Sequence, residues 1–407
     1  MRTRDVLLLF AVLTSSPLTR AGPDKLFQCF TSKLSETELF SDFPAQSPTA
    51  GLLPYDLNFP FWSDGADKKR WMRLPTNGKI TYSSRAEWKF PAGSIFVKQF
   101  ELPSGAKLET RVLLFTGTHV DGASYRWRAD QSDADLLATN LLGSISANTG
   151  EVKHWYFPSP QDCRTCHNAN AGFILGINTR QLNQIRNGEQ QNQIMKWSSL
   201  HLFDEDLSAS GLDPEERLGS GNLEHFVRSY LDVNCAFCHR EGGTVSYFDA
   251  RFSRPLSRLI NAPVLFNEGL DNAHVVAPHD PWRSIFLTRL KTMDGLKMPP
   301  LAHVKTDTNA ATLVEQWILS LPGPEVMAPP LIEPSGGEFS GPVTVKLLHS
   351  DPAAAIHFTT NGAPPGIKSP CYTEPLTFDQ PVTLRARAYR DGFIRSIPAQ
   401  ETFIISR

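Results

Sequence analysis

Long hydrophobic runs are absent from this 407-residue sequence after its first residues. A helix needs about 20 apolar residues to cross a bilayer, and no later stretch approaches that length. An excess of charge is also absent, because 40 Lys and Arg oppose 42 Asp and Glu and leave a net charge of −2. We therefore expect no transmembrane segment and no nucleic-acid partner, since nucleic-acid binding needs a basic surface.

Cysteine is scarce, yet four of the six cysteines lie in two short segments of the same pattern. Residues 163–167 (the first CxxCH segment) and 235–239 (the second CxxCH segment) both have the spacing typical of c-type haem attachment. Cysteines three apart on a helix reach the two haem vinyl groups, and the adjacent histidine reaches the iron. The alternatives are a zinc half-site and a thiol–disulfide motif. The sequence predicts two covalently bound haem c groups, held by Cys163, Cys166, His167, Cys235, Cys238 and His239.

The first 21 residues have the pattern of a secretory signal. Arg2 and Arg4 give a charged start, residues 6–13 are apolar, and small residues lie near Ala21. A buried N-terminal helix is the alternative. We expect residues 1–21 to be a signal peptide and the remaining chain to be exported, to the periplasm or the extracellular space.

Residues 34–156 favour strands separated by turns. The stretches 94–102 and 109–115 are rich in β-branched and aromatic residues, and Asn-Gly and Asp-Gly pairs mark turns. This pattern predicts an N-terminal β-rich sandwich or barrel. Asp64 and Asp67 follow Trp62 closely and have the residue types of a cation site, but an ordinary Asx-type turn is favoured.

The first haem-binding segment is assigned to residues 157–212, which include the first CxxCH segment. A second ligand for that iron has no local motif. Four residues are close enough in sequence to serve, and a five-coordinate iron is the alternative. These candidates are Met195, His201, His225 and His154.

Residues 213–322 have a fuller pattern. Helical spacing over 223–233 leads into the second CxxCH segment, a second helical stretch follows at 285–290, and an apolar stripe over 313–321 closes the region. This order resembles class I cytochromes c. The resemblance implies that Met298, which lies 59 residues after His239 (298 − 239) and directly before two prolines, is the distal iron ligand. Met293 is the competing candidate.

A wider stretch, from residue 34 to about 321, resembles a bacterial family of secreted diheme c-type cytochromes. The matching phrases are residues 34–40, 62–66 and 125–130 together with both CxxCH segments. This resemblance implies electron transfer, with some members found beside sugar-dehydrogenase domains. His279 stands where a glycine is expected before Asp280-Pro281.

The C-terminal part begins with a proline-rich linker over residues 323–334. Residues 335–407 then show short strands and turns, which predict an immunoglobulin-like β-sandwich. Residues 356–362, 371–376 and 384–392 make it similar to the C-terminal domain of chitobiase and β-hexosaminidases. No hydrolase activity is carried over, because the catalytic domain is absent. Cys371 in this part and Cys29 are expected to form a disulfide or to remain free buried thiols.

Together these patterns predict a multidomain α+β chain with an N-terminal β-rich sandwich or barrel, a mainly α cytochrome c haem region and a C-terminal immunoglobulin-like β-sandwich. The first hypothesis for function is a secreted diheme c-type cytochrome that carries single electrons between a periplasmic dehydrogenase and an acceptor. Redox proteins such as a sugar or alcohol dehydrogenase are the expected partners, and a polysaccharide is a further candidate. The alternatives are a diheme peroxidase-type enzyme with an open first haem, and a carbohydrate-associated redox scaffold.

Overall fold

The computed structural model describes residues 30–43, 45–146, 152–207, 212, 217–219 and 221–406. The expected signal peptide and Cys29 lie outside these residues. Within the described ranges, no helix has both the length and the apolar character needed to cross a membrane.

The N-terminal part is built on one six-stranded antiparallel sheet. A short pair, β1 (Phe40–Asp42) and β2 (Ser47–Pro48), precedes it, and the hairpin of β9 (Leu141–Ser146) and β10 (Val152–Phe157) follows it. The strands of the large sheet pair in sequence order. They are β3 (Leu53–Pro54), β4 (Asp67–Arg73), β5 (Ile95–Glu101), β6 (Lys107–Phe115), β7 (Val120–Trp127) and β8 (Ala134–Leu136).

Both faces of this sheet are covered, and β5 is accordingly buried at six of its seven positions. Side chains alternate between the two faces of a strand. Ile95 and Val97 pack with Trp71 in one hydrophobic cluster, whereas Phe96 packs with Trp88 in another. Neighbouring positions on β5 therefore serve different cores.

In the middle of the chain, the described residues include six α-helices among long irregular stretches. They are α1 (Pro160–Cys166), α2 (Thr179–Leu182), α3 (Gln193–Ser199), α4 (Leu223–Asn234), α5 (Ile285–Lys291) and α6 (Thr308–Ser320). Val227 and Leu231 of α4 pack with Val314 and Trp317 of α6, as their helical spacing predicts. The class I cytochrome c fold of residues 213–322 stays a prediction.

The C-terminal part is a two-sheet β-sandwich, as predicted. One sheet has the order β11-β13-β15 and the other β12-β17-β16-β14, with β12 and β17 parallel. Val345 of the first sheet and Leu384 and Phe403 of the second share one core. The strands are β11 (Leu331–Glu333), β12 (Gly337–Phe339), β13 (Val343–Leu348), β14 (Ala355–Thr359), β15 (Leu376–Phe378), β16 (Val382–Tyr389) and β17 (Ala399–Ile405).

Asp271 joins this sandwich to the middle of the chain. Its carboxylate lies 2.7 Å from Arg395 and 3.4 Å from each of Arg387 and Arg283. The first two arginines belong to the sandwich, whereas Arg283 is almost fully buried next to α5. The coarse part of the fold prediction is confirmed by the sheets described above: the chain is mostly β, with several sheets and a C-terminal β domain.

Candidate functional site

The first CxxCH segment begins on α1, whose start is fixed by its sequence. The Ser159 side chain accepts the N–H of Asp162 at 3.1 Å, and Pro160 occupies the first helical position. The helix packs on β7, where Cys163 lies against Gly122. A Cβ at Gly122 would stand 2.6 Å from the Cys163 sulfur, so only glycine allows this close approach. Cys163 is therefore part of the core.

His167 ends the helix and has a fixed ring orientation. Its Nδ1 donates to the carbonyl of Phe173 at 2.7 Å, because a carbonyl oxygen only accepts. Burial, followed by the nearby Lys98 ammonium, lowers the pKa of His167 from 6.5 to about 3. The imidazole is therefore neutral at physiological pH, and its Nε2 keeps a lone pair.

The second CxxCH segment follows α4 directly. The N–H of Cys235 donates to Leu231 and that of His239 donates to Cys235, each at 2.9 Å. The His239 ring stacks on Phe248 at a centroid distance of 4.3 Å. Burial, and then Arg289, lowers the pKa of His239 to about 4. This imidazole is also neutral, and its buried Nδ1 has no hydrogen-bond partner within the described residues.

The two segments meet at a cavity of about 150 Å³, here named the first cavity. Cys166 and His167 of the first segment and Cys238 of the second all line it. The two thiols are close enough for Cys238 to contribute to the raised pKa of Cys166. Residues far apart in sequence therefore share one site.

Four basic side chains from the six-stranded sheet line the first cavity. Lys68 and Arg70 come from β4, Lys98 from β5 and Arg111 from β6. Glu109 binds Arg111 at 2.8 Å, whereas Nε and Nη2 of Arg70, which is 5% exposed, lack a partner within the described residues. Burial lowers the pKa of Lys98 to about 7. The positive charge of Arg70 therefore favours a negative group in the cavity.

Asp64 holds the wall of the first cavity in place. Its carboxylate accepts the N–H of Val304 at 3.1 and 3.2 Å and that of Lys305 at 3.0 Å. Residues 299–303, which directly precede these amides, line the cavity. The stretch predicted to be an ordinary Asx-type turn thus holds Val304 and Lys305, which lie about 240 residues further along the same chain. We name this contact the Asp64 clamp. Asp64 has a φ of 55°, a conformation that Asp tolerates.

The second segment also faces a smaller, apolar cavity of about 40 Å³, the second cavity. Cys235, His239 and Met298 line it. The N–H of Met298 donates to Arg289 at 2.9 Å, which fixes the segment that carries the thioether. Met293 is 38% exposed. Of the two candidate methionines, the structure therefore brings Met298 to His239, and its role as a ligand stays a prediction.

The prediction of two covalently bound haem c groups is corrected. Within the described residues, no three side chains of His, Cys, Asp or Glu lie together where they could hold a metal ion. The first and second cavities, at about 150 and 40 Å³, are smaller than the roughly 300–1,000 Å³ of ordinary cofactor pockets.

The thiols of each segment also face different spaces. Cys163 packs against Gly122 while Cys166 lines the first cavity, and Cys235 lines the second cavity while Cys238 lines the first. A haem c would need both thiols of one segment on the same edge of the ring. The positions of the thiols therefore do not fit a haem c attached through either segment.

The same environment argues against reactive thiols. Burial raises the pKa of Cys166 to about 12, with a further contribution from Cys238, and raises that of Cys235 to about 12. Burial also raises the pKa of Cys163 and of Cys238. The thiolate is the nucleophile in disulfide exchange, so at neutral pH these cysteines are poor nucleophiles. Cys371 is a free thiol and is exposed, so the prediction that it is buried was wrong.

Two of the four candidates for a second ligand beside His167 lie in other contacts. His225 binds the carbonyl of Arg217 at 2.7 Å, and His154 binds Ser144 at 3.0 Å. His303, which sequence reasoning missed, is 6% exposed and lines the first cavity with His167. A histidine three residues after a Pro-Pro pair was the only signal that could have indicated it.

Comparison with known proteins identifies one part of the chain. Residues 334–398 match the chitobiase/β-hexosaminidase C-terminal domain. This confirms the predicted resemblance of the C-terminal sandwich. The comparisons with curated proteins and with solved structures give no match.

Proposed function

We propose that this chain is an exported electron carrier, which passes single electrons from a dehydrogenase of the sugar or alcohol class to an acceptor protein. The observation that carries the proposal is the meeting of the two CxxCH segments at the first cavity, where Cys166, His167 and Cys238 lie together. Chains that serve only as scaffolds have no need to bring two such segments to one place.

The electrostatics of the site support transfer in preference to thiol chemistry. Two imidazoles, of His167 and His239, are held neutral by burial, and the buried thiols are poor nucleophiles. A redox group bound at the cavity would take up the electron, and the guanidinium of buried Arg70 would stabilise its reduced form, because positive charge in a low-dielectric site favours the state with the added electron. Asp64 fixes the cavity wall, which limits the rearrangement that accompanies each transfer.

The proposal is tested on the exported full chain. Its intact mass and visible spectrum identify the redox group at the site, and titration with a reductant counts the electrons taken up. We expect the double variant Cys166→Ala, Cys238→Ala to lose this uptake and the matched variant Cys371→Ala, at an exposed thiol outside the site, to keep it. Equal uptake in all three proteins would overturn the proposal. Turnover of hydrogen peroxide would favour the peroxidase-type alternative.

A carbohydrate-associated redox scaffold is the second candidate. The domain match at residues 334–398 favours it, since that domain accompanies enzymes that act on amino sugars. The Asp271 contacts would hold the redox site beside the bound polymer. We expect the full chain to sediment with insoluble chitin and to be released by soluble chitin oligosaccharides. A chain that stays in the supernatant with every polysaccharide tried would rule this candidate out.

A further inference from the structure

A third cavity, a cleft beside the second CxxCH segment, is lined by arginines that have no role in the proposed electron transfer. It has a volume of about 230 Å³, and five arginines from four parts of the chain line it. We name it the arginine cleft. Its arginines are Arg85, Arg180, Arg240, Arg251 and Arg254.

Acidic groups balance only part of this charge. Among the lining residues the carboxylates are Glu87 and Asp232. Glu87 pairs with Arg240 at 2.6 Å, and the Asp232 carboxylate accepts the N–H of Phe252 at 2.8 Å. Asp249, next to the cleft, binds Arg251 at 2.5 Å and Arg254 at 3.4 Å. Glu241 also lies 3.6 Å from Arg254. Among the described residues, these ion pairs leave Arg180 without a carboxylate partner.

Arg180 provides an independent sign that a ligand is missing. Its Nε is buried and has no hydrogen-bond partner within the described residues. The guanidinium lies 5.5 Å from the ring of Phe252, and its Nη1 reaches the carbonyl of Arg85 at 3.5 Å. These contacts orient the group and leave the Nε donor unused. Buried donors without partners are rare in folded proteins, and a bound ion is one of the explanations for them.

We propose that the arginine cleft binds a small multivalent oxyanion, such as phosphate or a di- or tricarboxylate. Guanidinium groups present paired donors that match the oxygens of carboxylate and phosphate. The volume corresponds to roughly eight water molecules at about 30 Å³ each, which admits such an ion. The oxyanion accepts from Arg180 Nε and balances the charge left by the ion pairs.

Isothermal titration of the full chain at low salt tests this inference with three probes: inorganic phosphate, sulfate and citrate. We expect saturable binding of at least one of them, weakened by added sodium chloride. Arg180→Gln is expected to weaken binding about tenfold, as loss of one charge-assisted hydrogen bond does. Arg254→Gln, at a partly exposed side chain of the cleft, is a second variant that is expected to fold and to weaken binding.

Arg258→Gln is the matched control, because it makes the same charge change at an exposed position on a nearby turn. Unchanged affinity in this variant, with weaker binding in both cleft variants, supports the inference. Equal weakening in all three would show attraction by overall charge and overturn it. Absence of binding by every probe up to about 10 mM would overturn it as well, since affinity weaker than millimolar is not that of a built site. None of these outcomes depends on electron transfer.

Discussion

The Asp64 clamp gives the sharpest prediction of the account. Asp64 is 4% exposed, and its carboxylate accepts the amide N–H groups of Val304 and Lys305 at 3.0–3.2 Å. Asp64→Ala leaves both donors without their charged acceptor. A hydrogen bond to a charged group contributes about 1.5–3 kcal/mol, so at the lower end the two together stabilise the 299–305 segment by about 3 kcal/mol.

A loss of about 3 kcal/mol raises the population of the locally opened state of this segment about 100-fold. Hydrogen–deuterium exchange of a peptide that covers residues 301–306 is therefore expected to accelerate by about that factor. Asp64→Asn is expected to give a smaller effect, since Asn tolerates the left-handed backbone of this position and keeps one acceptor oxygen.

Asp67→Ala is the control, because Asp67 lies in the same stretch and is exposed. Unchanged exchange at residues 301–306 in Asp64→Ala would refute the clamp. So would the same acceleration in Asp67→Ala, since it would show a general loosening of the stretch.

Three further predictions concern packing, docking and pH. Gly122→Ala places a Cβ 2.6 Å from the sulfur of Cys163 and should destabilise the N-terminal sheet by about 1–3 kcal/mol in urea unfolding. Asp271→Asn removes the negative charge that pairs with Arg283, Arg387 and Arg395. Small-angle scattering should then show a larger distance between the C-terminal sandwich and the middle of the chain. Burial lowers the pKa of Lys98 from 10.5 to about 7, so the unfolded state binds more protons between these values. Stability should therefore rise as pH increases from about 7 toward 10, and Lys98→Met should reduce this rise, to which Lys68 also contributes because burial lowers its pKa.

Matched variants make these three predictions refutable. Gly341 has open space around its Cα, so Gly341→Ala should not cost what Gly122→Ala costs. Asp379 is exposed, and a scattering change in Asp379→Asn equal to that in Asp271→Asn would refute the docking role. A Lys98→Met protein that keeps the full pH dependence would show that another group causes it.

Local structure was predictable where the sequence pattern is local. The helical spacing of residues 223–233 corresponds to α4 (Leu223–Asn234), and the β-rich stretch 94–102 corresponds to β5 (Ile95–Glu101). His279, noted because a glycine was expected there, has a φ of 59°, which is the conformation that glycine adopts without strain.

The site was less predictable, because its contacts join distant parts of the chain. Lys68 and Arg70 appear in the sequence as ordinary strand residues. Only the folded sheet brings them to the cavity that Cys166 lines. The CxxCH spacing gives the distance between two thiols along a helix and does not say which side each one faces. Gly122 opens the space into which Cys163 packs, which no local pattern around residue 163 indicates.

The most direct test of the account is the Nernst slope of the full chain in a potentiometric titration. A site that carries single electrons gives about 59 mV for each tenfold change in the ratio of oxidised to reduced protein, whereas a dithiol–disulfide pair gives about 30 mV. We predict the one-electron slope for the wild type and for Cys371→Ala, and its loss in the Cys166→Ala, Cys238→Ala double variant. A slope of about 30 mV, or no reversible response, would contradict the account.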